Sequence, residues 1–85
     1  MNIHDGARII LKYMLDQVLS IGSLEDGFYI RYDELANLLN LESENYCHIC
    51  FQYLDQLACI QITRNDDGAR FVLLTAKGID YLEGA

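Results

Sequence analysis

Proline and tryptophan are absent from the 85 residues, glycine occurs six times, and only six Lys and Arg stand against thirteen Asp and Glu. Without proline or clustered glycine, no linker or low-complexity stretch divides the chain, so one domain spanning 1–85 is expected. Gly22, Gly27, Gly68, Gly78 and Gly84 lie too far apart for a phosphate-cradling loop, and no GxGxxG or Walker pattern occurs. The three cysteines are an odd number, which does not suit a secreted disulfide framework. Met1-Asn2-Ile3-His4-Asp5 has no basic leader, and Arg8, Lys12 and Asp16 interrupt the apolar stretch that follows. Neither a secretory signal nor a membrane span is therefore expected, and a reducing cytoplasm is the expected compartment. The formal charge of −7 repels nucleic acid and anionic membranes at long range and attracts a basic partner surface.

What is present is a hydrophobic content of 52%, enough for one core without disulfides or metal. A chain of this size buries about 60% of its unfolded surface. Ala7, Ile10, Leu11, Met14, Val18 and Ile21 recur at helical spacing and predict a helix over 4–21. Gly22 stands near its C′ position, and Ile9, Tyr13, Leu15 and Leu19 widen the apolar arc enough to support a homodimer. Phe28-Tyr29-Ile30 is a short β-prone run. Asp33, or alternatively Tyr32, then caps a second helix with Leu35, Ala36, Leu38 and Leu39 inward, ending at Asn40. Ser43 caps a third helix reaching about Ala58.

The last third alternates. Ile60 and Ile62 precede an Asn65-Asp66-Asp67-Gly68 turn, and Phe71 and Leu73 follow it. With an even inward set before the turn and an odd one after, directly paired residues must have an odd sum, which favours a two-residue Asp67-Gly68 loop. Thr75 caps a short last helix carrying Ile79 and Leu82.

Three stretches then stand out. They are Tyr32-Asp33-Glu34-Leu35-Ala36-Asn37-Leu38-Leu39-Asn40-Leu41, Tyr53-Leu54-Asp55-Gln56-Leu57-Ala58-Cys59-Ile60, and Leu74-Thr75-Ala76-Lys77-Gly78. In this order and spacing the chain resembles the winged helix–turn–helix superfamily over nearly its whole length. Ala58 stands where that family usually has glycine. The resemblance implies an α+β, mostly α fold with a three-helix core, a short strand, a two-stranded wing and a short C-terminal helix. It also implies DNA binding through the third helix and the wing.

The residues of the third helix fit DNA poorly. Cys47, Cys50, Phe51, Leu54, Leu57 and Ala58 fall on one stripe, leaving Glu44, Asn45, His48, Gln52, Asp55 and Gln56 outward. No Lys or Arg occurs between Arg31 and Arg64. Asn45, Gln52 and Gln56 suit base edges, with Arg64 and Arg70 on the wing for the backbone. That supply falls below the ~6–10 phosphate contacts of a strongly salt-dependent binder. Tyr46, Ile49 and Tyr53 cluster beside the core stripe, either packed on the first helix or wing, or exposed to a protein partner. The leading expectation is a protein partner met through Tyr46, Ile49, Tyr53, Glu44 and Asp55; the alternative is a DNA-binding regulator.

Cys47-His48-Ile49-Cys50 invites a zinc reading completed by Cys59 or His4, but no second CxxC or HxxxH supplies a recognised spacing. Both thiols fall on the core stripe, where cysteine serves as a small hydrophobe. No metal, cofactor or catalytic group is expected.

Overall fold

The computed structural model describes residues 2–66 and 69–84. They form an α+β fold, mostly helical, with four helices and a three-stranded antiparallel sheet. The order is α1 (Ile3–Ile21), β1 (Phe28–Arg31), α2 (Tyr32–Leu38), α3 (Glu44–Gln56), β2 (Ile60–Asp66), β3 (Ala69–Leu74) and α4 (Ala76–Glu83). No helix among the described residues is long and apolar enough to cross a membrane.

Asn2 caps α1 by accepting from the Asp5 amide at 2.8 Å, and Gly22 ends it in the left-handed region that glycine adopts without strain. Ala7, Ile10, Leu11, Met14 and Val18 are buried as their spacing predicts, whereas Ile21 is exposed on the last turn. In α2 the cap is Arg31, which makes no side-chain cap bond, and not Asp33, whose carboxylate accepts from the Glu34 amide at 2.8 Å. Starting one turn-step earlier puts Tyr32 at the head of the inward stripe. Tyr32, Leu35 and Ala36 are buried and Leu39 half-buried, at the i, i+3, i+4, i+7 spacing of one helix face. Leu38, expected inside, points outward and is 64% exposed.

Two of these helices end in the same way. After α2, the Leu41 amide donates to the Ala36 carbonyl and Asn40 to Asn37; after α3, Cys59 donates to Leu54 and Ala58 to Asp55. Both are paired closures that satisfy the last carbonyls by turning one residue left-handed. Asn40 (φ 55°) tolerates that conformation, but Ala58 (φ 62°) pays for its Cβ there. The backward turn also lifts Ala58 off the core stripe, so it is exposed and not inward as its helical angle suggests. Replacing Ala58 with glycine is expected to stabilise the fold by about 0.5–1 kcal/mol, less than the full strain because glycine loses more entropy on folding. A shift of the urea midpoint to lower concentration would count against the strained cap.

The sheet order is β1-β3-β2. Next to the turn the pairs Arg64–Phe71, Asn65–Arg70 and Asp66–Ala69 have the expected odd sum; the proposed Asp67-Gly68 loop itself lies outside the described residues. Further from the turn, Ile60–Leu74, Gln61–Leu73 and Ile62–Val72 have an even sum. The register shift between Ile62 and Arg64 makes Thr63 an extra residue, a β-bulge that flips the parity of everything below it. Val72 and Leu74 consequently join Ile60 in the core, correcting the expected inward pair Phe71 and Leu73. Phe71 instead meets Tyr29 of β1 edge-on at 5.1 Å on the other face, a favourable cross-strand pair. The same parity places Arg70 on the side of Val72 and Leu74 and not on the opposite face of the hairpin.

Thr75 joins α3 to α4. Its hydroxyl donates to the Ala58 carbonyl at 2.7 Å and accepts from the Gly78 amide at 3.1 Å, while its own amide donates to Cys59. The core therefore lies between α1, α3 and the Ile60–Val72–Leu74 face, with α4 clamped over the turn that ends α3.

Candidate interaction surface

The helix that carries the candidate site is fixed by its inner face. Ser43 caps α3 by accepting from the Tyr46 amide at 3.0 Å, and Cys47, Cys50, Phe51 and Leu54 are fully buried. Leu57, at the C-cap, is only half-buried. With that stripe inside, geometry sends Glu44, Asn45, Gln52, Asp55 and Gln56 to solvent.

His48 was expected outward with them and is half-buried instead. Its ring stands edge-on to Tyr32 at 5.1 Å, and its Nε2 lies 3.1 Å from the Gln52 side-chain nitrogen. Tyr32 also stacks at a tilt on Phe51 at 4.8 Å, and the Arg70 guanidinium lies over the Tyr32 ring at 5.3 Å. This Tyr32–His48–Phe51–Arg70 cluster joins α2, α3 and β3 and is not anticipated by the sequence reading, in which Tyr32 stands only as the alternative to Asp33 for the helix cap. The signal was available in the alternation Ile30–Tyr32 and in the helical spacing of Tyr32 with Leu35, Ala36 and Leu39. Burial raises the Tyr32 hydroxyl pKa, while Arg70 pulls it back down.

Two basic side chains near α3 have partners within the chain. Arg70 covers Tyr32, and Arg31 lies 3.7 Å from both Asp33 and Glu34. Arg64 holds a β2 position opposite Phe71. The outward face of α3 thus presents amides and carboxylates with no cation of its own.

Tyr46, Ile49 and Tyr53 are brought together but differ in exposure. The Tyr46 hydroxyl donates to the Asn2 carbonyl, and its ring lies against Gly6, where an added Cβ would come within 2.7 Å of Cε2. Tyr53 meets the His4 ring edge-on at 5.7 Å and borders one recess with Tyr81 of α4. Both tyrosines are half-buried by α1 and α4, and Ile49 is the apolar member that stays open, at 48% exposure.

The three cysteines are free and buried. Burial pushes the Cys47 thiol up to about 12, with Cys50 and Glu44 adding repulsion. Burial likewise raises Cys50, opposed by the neighbouring Tyr46 hydroxyl, and Cys59, opposed by Lys77. Burial pushes Tyr46 up to about 12 as well, with Cys50 contributing. Thiols held protonated in this way are poor nucleophiles. Among the described residues, no three His, Cys, Asp or Glu side chains are grouped to hold a metal ion.

These shifts fix a pH dependence. Above the ordinary thiol value of 9.0 the unfolded chain releases protons that native Cys47 retains. Stability from this group is fully present below pH 9 and falls as pH rises towards 12, by up to about 1.4 kcal/mol per pH unit. Urea unfolding followed from pH 8 to 11 should show the decline beginning near 9, and Cys47→Ala should make it shallower, leaving the part due to Cys50, Cys59 and Tyr46. An unchanged slope in that variant would remove Cys47 as the cause.

No protein-family model matches this chain, and neither a curated protein nor a solved structure matches it.

Proposed function

We propose that this chain is an acidic winged-helix module that acts by binding a protein, as a regulator or inhibitor of a nucleic-acid-binding partner, and performs no catalysis. The helix order with a β2–β3 wing supports the winged-helix reading. The partner reading is carried by one observation: the outward face of α3 offers Glu44, Asn45, Gln52, Asp55 and Gln56 and no positive group, while the nearby Arg70 and Arg31 have internal partners. A surface of that kind, in a chain of net charge −7, is repelled by phosphate and attracted to the basic cleft in which a partner would hold phosphate. Ile49 supplies an exposed apolar anchor whose neighbours on the helix face are Asn45, Gln52 and Gln56, in the arrangement of a small hydrophobic centre with a polar rim.

Affinity capture from the source cells, with the wild type beside a Glu44→Lys/Asp55→Lys variant, tests this. The wild type is expected to retain a basic nucleic-acid-binding protein that the variant loses, with unchanged circular dichroism. Gel-shift against genomic fragments at low salt is the counter-test. Tight DNA binding that Arg64→Ala and Arg70→Ala abolish would overturn the proposal and make Asn45, Gln52 and Gln56 base-reading residues instead.

A further inference from the structure

We draw no further inference here: the strongest candidate, the apolar groove along α1 walled by Ile9, Tyr13, Leu39 and Leu82, carries nothing because Arg8 and Lys12 at its rim are engaged within the chain, by the Tyr81 and Leu82 carbonyls and by Asp16, and nothing in the structure shows what covers it.

Discussion

Changing Gly78 to alanine is expected to destabilise the protein by about 2–4 kcal/mol, a large part of what a domain of this size possesses. A Cβ at this position would lie 2.2 Å from the Cys59 carbonyl oxygen, 2.9 Å from Leu74 Cδ1 and 3.1 Å from the Cys59 carbonyl carbon. Backbone cannot yield as a side-chain tip can, so α4 must move away from the turn after α3. Movement strains three bonds at once: the Thr75 hydroxyl to Ala58, the Thr75 amide to Cys59, and the Gly78 amide to Thr75. Alanine's better helix propensity returns only about 1 kcal/mol. Urea denaturation of Gly78→Ala beside Lys77→Ala, an exposed neighbour, measures the difference. Equal midpoints for the two variants would show that the close approach of α4 to Cys59 is not required.

Removing the ring of Phe51 is expected to destabilise by about 3–5 kcal/mol, while Phe51→Leu should lose no more than about 1.5 kcal/mol. Phe51 is among the largest fully buried side chains, and its ring supports Tyr32, against which His48 and Arg70 rest. The alanine variant therefore has a second consequence. Tyr32 loses the stacked surface that holds it inward, and Arg70 loses the ring it covers. Near-ultraviolet circular dichroism, dominated by tyrosine in a chain without tryptophan, should weaken in Phe51→Ala more than in Phe51→Leu. If Phe51→Ala unfolds within about 1 kcal/mol of the wild type, the aromatic cluster is not what holds α2, α3 and β3 together.

The elements were legible because their signals are local. Asn2 apart, the caps Ser43 and Thr75 and the left-handed positions Gly22 and Asn40 were readable from residue type, and the core faces of α1 and α3 from their period. The misassigned positions share a different cause. Tyr32 as the first inward residue of α2, Leu38 outside it, and Val72 and Leu74 inside β3 all depend on where an element begins or how it is paired. The Thr63 bulge leaves no mark in composition, yet one inserted residue reverses which side of β3 meets the core. The candidate surface followed the same division. The absence of cations on α3 could be read directly, but the side of the β2–β3 hairpin that Arg70 takes depends on the Thr63 bulge.

Composition and periodicity alone determined the number and order of the elements, the buried stripe of α3 and the acidic character of its outer face, since each follows from neighbours within a few residues. Tertiary packing decided the parity of the β2–β3 hairpin, the seating of Tyr46 and Tyr53 against α1 and α4, and the inward position of Arg70. Those outcomes depend on contacts between residues dozens of positions apart, where shape and register select among arrangements that are locally equivalent.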